Sequence, residues 1–199
     1  YAKDFLAIRL FNQDVVENGL KDLVVRQDFC GDAFTMLSFD LPQSVINVQP
    51  DQVKHWNKSA EELFQTGKQN IEKKYSFDFS RETIYDFDIW FIQDEHHFVP
   101  NFVFSMKKYP ALIGEYGSLI GVPHRHAAMI YPIETMETIS AANSLPFIIS
   151  GMFREGPGSV SNCLFWYRNG MFQSLPYEIG ENKITLKPTV EFIQMVEKL

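Results

Sequence analysis

Cysteine is almost absent from this chain: Cys30 and Cys163 are the only two in 199 residues. Two thiols cannot build a disulfide framework or a four-thiolate zinc site. Cys163 sits in the apolar run Cys163-Leu164-Phe165-Trp166-Tyr167, where an inert core thiol is expected. Long hydrophobic runs are also missing. The longest, Leu145 to Phe153, spans nine residues, under half of what a helical membrane crossing needs. No membrane insertion is expected.

Basic charge is the third shortage. There are 18 Lys and Arg against 25 Asp and Glu, a net charge of −7. The basic pairs Lys73-Lys74 and Lys107-Lys108 lie far apart, so no nucleic-acid surface is expected. Complete catalytic motifs are lacking too. The Gly-Pro-Gly stretch 156–158 has neither P-loop nor dinucleotide-fold spacing and reads as a turn. No serine elbow, zincin motif or kinase set occurs. The first residue is Tyr1 and no signal-peptide pattern follows; the expected setting is the cytoplasm.

What is present is apolar and aromatic. Hydrophobic residues make up 45% and phenylalanine alone accounts for 18 positions, enough for a packed core rather than disorder. The pattern predicts one α+β domain, with a mixed, largely antiparallel sheet built from hairpins and packed against several helices. Phe5, Leu6 and Leu10 suggest a peripheral helix over 1–20. Two β-rich runs around Gly31-Asp32 predict a hairpin over 22–41. Val53, Trp56, Ala60, Leu63, Phe64, Gly67 and Ile71 recur at helical steps over 50–74, opened by Pro50. Gly67 inside that helix implies a second backbone passing close by. Runs on either side of 94–97 predict another hairpin, with a short helix at 107–116 after it. Strands over 118–133, a helix over 135–154 and a hairpin turning on Asn169-Gly170 come next. A strand and a helix with Pro188 near its start close the chain.

The helix segment from Trp56 through Ser59, Glu61, Glu62, Leu63 and Gly67 to Asn70, with Ser118-Leu-Ile-Gly-Val-Pro123-His124 further on, resembles the YtpQ-like bacterial family of domains of unknown function and related uncharacterised domains. The resemblance covers about residues 20 to 180. It implies an α+β sheet domain of bacterial origin and brings no catalytic residues. Gly67 stands where the family's usual alanine would be, and His126 lies outside its pattern. Ser59 suits an N-cap with Glu61 and Glu62 in the first turn. Trp56 reads as a core anchor, and Asn70 as a partner for a free carbonyl or the sheet.

Two clusters remain as candidates for chemistry. His124, Arg125 and His126 would put both imidazoles on one strand face, a spacing that suits two zinc ligands. Asp94, Glu95, His96 and His97 read first as a solvated hairpin tip; if the tip packed over the 124–126 strand end, Asp94, His96 or His97 could complete a metal site, with Glu115 as another candidate. The leading expectation is a non-enzymatic binding or interaction module without a cofactor, its partner a protein, self or other. Its weak binding candidates are His124, Arg125, His126, Trp56 and Asn70. The rival is a metal-assisted hydrolase using a divalent ion such as zinc on His124 and His126 with a group from 94–97. A third reading, an immunity-type protein neutralising a basic toxin, has only the acidic balance behind it.

Overall fold

A computed structural model describes residues 2–16, 19, 22–181 and 183–199. Its fold is α+β, with antiparallel sheets and packed helices. The N-terminal segment departs from the expected helix. A single 3-10 turn, Ala2–Phe5, leads straight into β1 (Leu6–Asn12). Leu6, Ile8 and Leu10 satisfy a period of two as well as part of a helical period, and all three are buried. Pairing along its whole length with β3 decides between the two periods. The rest of the expected 1–20 helix falls partly outside the described residues.

β2 (Arg26–Cys30) and β3 (Ala33–Leu41) form the expected hairpin, turning on Gly31 at φ +57° and Asp32. β4 (Ser44–Asn47) extends β3's pairing, so the first sheet runs β1-β3-β2 with β4 also on β3. The predicted 50–74 helix is two helices, α1 (Pro50–Lys54) and α2 (Ala60–Lys74). Asn57, at φ +49°, breaks the run. Ser59 then caps α2: its Oγ accepts from the Glu62 N–H at 3.2 Å, and the Glu62 carboxylate accepts from the Ser59 N–H at 2.9 Å. α2 lies on β1, burying Leu63, Phe64, Gly67 and Ile71. A Cβ on Gly67 would stand 2.9 Å from the Ala7 carbonyl carbon, the close backbone approach expected from the sequence.

The second sheet has six antiparallel strands in the order β10-β9-β7-β8-β6-β5. They are β5 (Ser80–Ile84), β6 (Phe87–Gln93), β7 (Ser118–His124), β8 (Ala127–Pro132), β9 (Leu164–Arg168) and β10 (Met171–Leu175). Alternation divides its side chains between two cores. Leu119, Met129, Leu164 and Trp166 meet α3 (Thr138–Glu155), with Phe192 and Met195 of α4 (Val190–Val196) in the same cluster. Ile120, Val122, Ile130 and Phe165 face the opposite way, onto a 3-10 helix over Val99–Lys108. The β9–β10 turn carries Asn169 and Gly170 at φ +52° and +83°, as a type I′ turn requires. β11 (Tyr177–Ile179) and β12 (Ile184–Leu186) form a separate ribbon.

The 3-10 helix replaces a predicted strand. Pro100 lies in its first turn and cannot donate to a central ladder, while Val99, Phe102, Val103 and Met106 are buried at steps of three and four. Asn101 of this helix donates to the Ile8 carbonyl at 2.7 Å, and Asn70 of α2 to the Leu6 carbonyl at 2.9 Å. Side-chain amides thus occupy the edge of β1 that has no neighbouring strand. The predicted helix at 107–116 is only the end of that segment plus a turn over Pro110–Leu112.

Candidate functional site

Four of the five histidines gather where the end of β6 comes alongside the turn between β7 and β8. His124 ends β7, Ala127 starts β8, and Arg125 and His126 are the turn between them. The two imidazoles therefore do not share a strand face as expected; His124 precedes the turn and His126 lies in it, with ring centroids 6.5 Å apart. The Asp94–His97 segment is not a free hairpin tip either. It connects β6 to the 3-10 helix and lies against the 125–126 turn. The Asp94 N–H donates to the His126 carbonyl at 3.1 Å, and the His126 ring Nδ1 lies 2.9 Å from the Asp94 carbonyl oxygen. His97 meets His126 edge to face, with centroids at 5.1 Å.

These contacts fix protons. A carbonyl oxygen only accepts, so His126 carries hydrogen on Nδ1. The Arg125 Nε–H only donates, and it reaches His126 Nε2 at 3.0 Å, so that nitrogen offers its lone pair. Both ring nitrogens of His126 are thereby engaged. His124 Nδ1 accepts from the His126 N–H at 3.2 Å. His96 Nδ1 accepts from the Phe98 N–H at 3.1 Å, while its Nε2 is buried without a hydrogen bond, 3.7 Å from the Asp94 carboxylate. That carboxylate is occupied in capping the His96 N–H at 3.1 Å.

Burial, followed by neighbouring positive charge, lowers the proton affinities of His97 and His124. The neighbours that oppose protonation of His97 are Arg125, Arg9, His126 and His96; those of His124 are His126 and Arg125. His96 is lowered by burial as well, against the pull of Asp94. Arg9, from β1 of the other sheet, is pushed down to about 10 by burial and then by Arg125.

The Gly-Pro-Gly segment, a plain turn by sequence, forms one wall of this site. A Cβ on Gly156 would fall 2.1 Å from His124 Cδ2, and one on Gly158 would fall 2.9 Å from Arg125 Cδ. The Arg125 N–H donates to the Gly158 carbonyl at 3.1 Å, and Val160 N–H to the Pro123 carbonyl at 2.9 Å. The sequence marked these glycines only as a turn, and Arg9 not at all. Arg9 lies on a strand that reads as helical, and glycine packing against a side chain leaves no local signal.

The other candidates lie elsewhere. Trp56 packs edge-on against Phe39 at 5.7 Å. Asn70 bonds to the Lys3 and Leu6 carbonyls, tying α2 to the start of β1, while Trp56 belongs to the core cluster on that sheet. Glu115 lies at the opposite end of β7 from His124. Among the described residues, no group of three or more His, Cys, Asp and Glu is placed to hold a metal ion, and no helix is long and apolar enough to cross a membrane. The chain matches no family model, no curated protein and no solved structure. The class it belongs to is the one its architecture defines, an α+β fold of antiparallel sheets.

Proposed function

We propose that this protein is a non-enzymatic binding module that recognises its partner through the surface made by His97, Arg125 and His126. One observation carries the reading: every ring nitrogen of His126, and Nδ1 of His124, is already committed to a hydrogen bond within the fold. A metal ligand needs a free lone pair, and a general base needs one facing substrate. Groups so tied act best as fixed walls. His97, Arg125 and His126 are half-buried, accessible enough to meet a partner and dry enough to make the meeting specific. A protein partner in a bacterial cytoplasm, and kinship with YtpQ-like domains on residues 56–70 and 118–124, belong to the same proposal.

The rival reading, a metal-assisted hydrolase, supplies the test. Elemental analysis of the purified protein is compared with a His124→Ala/His126→Ala variant. The binding reading expects no stoichiometric metal in either. Stoichiometric zinc or manganese that is lost in the variant overturns it.

A further inference from the structure

We propose that the outer edge of β5 receives an extended segment of a partner protein in which lysine or arginine alternates with apolar residues. This surface is separate from the histidine turn. The state of the sheet edges carries the inference. In the six-stranded sheet, β10 and β5 stand at the two ends. β10 lies against β2, where a Cβ on Gly31 would stand 3.1 Å from Ser174 Oγ. The open edge of β1, in the other sheet, is met by the Asn70 and Asn101 amides. β5 has no such cover. It pairs with β6 from Ser80 to Ile84, and among the described residues nothing bonds to its outward N–H and C=O groups. Ser80, Arg81, Glu82 and Thr83 are all exposed. A row of unmet backbone groups in extended geometry is a template for one more strand.

Alternation gives that strand two unlike faces. Arg81 and Thr83 share a face with their β6 partners Trp90 and Asp88. On that side a cleft of about 440 Å³ is lined by Asp86, Asp88, Trp90, Glu134 and Glu137. Glu82 and Ile84 point the other way, with their partners Ile89 and Phe87. There a cleft of about 570 Å³ is lined by Phe79, Ile84 and Phe91, with Asp78 and Glu82 at hand. Successive side chains of an added strand thus meet carboxylates on one face and mainly apolar groups on the other. Arg81 is the only cation among the described residues lining the two clefts, and Asp88 already pairs with it at 3.1 Å. Asp78, Glu82, Asp86, Glu134 and Glu137 have no ion pair among the described residues.

The charge selects the occupant. Antiparallel pairing of two β5 strands centred on Glu82 would set Glu82 opposite Glu82, and like charges directly opposite destabilise a strand pair. A second copy is therefore a poor occupant. A basic segment meets complementary charge instead.

The probe is a short synthetic peptide in which lysine alternates with valine, titrated into the whole chain while NMR follows amide hydrogen exchange. Saturable binding that slows exchange within residues 80–84 is expected. A twin with glutamate in place of lysine should bind at least about ten-fold more weakly, as should the parent peptide to a Glu82→Lys/Glu134→Lys variant. Both of those side chains are exposed, and melting curves confirm that the variant is folded. Two further twins are N-methylated, one on its lysine amides and one on its valine amides, so that each loses the donors of one backbone edge. One of the two should lose binding. No saturable binding, binding without protection at 80–84, a glutamate twin that binds equally well, or both methylated twins binding like the parent would overturn the proposal. So would a concentration-dependent dimer that protects 80–84, since the occupant would then be a second copy. Stoichiometric metal at the histidines, which defeats the binding reading, leaves the edge of β5 as it is.

Discussion

Arg125 donates its Nε–H to Nε2 of His126 across 3.0 Å. Because the other ring nitrogen of His126 faces the Asp94 carbonyl, the bond joins three consecutive commitments: the 94–97 segment, the imidazole and the guanidinium. Removing the Arg125 side chain should therefore free His126 Nε2. An Arg125→Ala variant is expected to gain affinity for added zinc or nickel at this turn, read by competition with a coloured chelator. A variant no better at binding metal than the parent would contradict the view that Arg125 occupies the lone pair.

Stability should fall with acidification through the histidine range. His96, His97 and His124 all have folded-state proton affinities below the ordinary value of 6.5, chiefly because of burial. Below 6.5 the unfolded chain takes up protons that the fold still refuses. The stability is thus complete above that value and lost as pH falls from it toward the depressed values. Urea midpoints at about pH 7.5 and about pH 5.5, a window that spares most carboxylates, should differ in favour of the higher pH. The gap should narrow in His97→Gln. An unchanged midpoint would count against a buried, neutral cluster.

Two glycines should resist alanine for different reasons. In α2, Gly67→Ala gains about 1 kcal/mol of helix propensity. The new Cβ would stand 2.9 Å from the Ala7 carbonyl carbon, so α2 must lift from β1 and the net effect is a loss of about 1–3 kcal/mol. Gly156→Ala drives a Cβ into the His124 ring at 2.1 Å. It should both lower the melting midpoint and shift the His124 signals, whereas Gly67→Ala leaves those signals in place. Thermal melts with histidine NMR separate the two.

Asp32 joins the sheets. Its carboxylate accepts from Asn12 Nδ2 at 3.0 Å on β1, from the Asn162 N–H at 2.9 Å, and from the Ser161 hydroxyl. Asp32→Ala leaves those donors unmet and should cost about 2 kcal/mol or more. Asp32→Asn keeps an acceptor and should cost less. Chemical denaturation of the two variants measures the order, and a reversal would refute the bridging role.

Local chemistry was readable where it was self-contained. The Asn169-Gly170 turn, the Ser59 cap and the Gly67 contact each follow from a few neighbouring residues. Where two periods overlapped, the sequence misled. Leu6, Ile8 and Leu10 fit a strand as well as a helix, and only β3 decides between them. Phe98 to Met106 has the apolar content of a strand, but Pro100 and the space between the sheets make it a 3-10 helix. The histidine cluster was half visible: both segments stood out, yet their meeting depends on β6 pairing with β8. Arg9 was invisible as a site residue because it comes from the other sheet.

The walls around His124 and Arg125 have a consequence for how this protein can vary. Gly156 and Gly158 leave no room for a methyl group beside those two side chains, so a change at 124, 125, 156 or 158 should call for a matching change at its neighbour. Across descendants of this sequence, a larger residue at 156 should appear only alongside a smaller one at 124. The 156–158 loop is tied to the turn it touches.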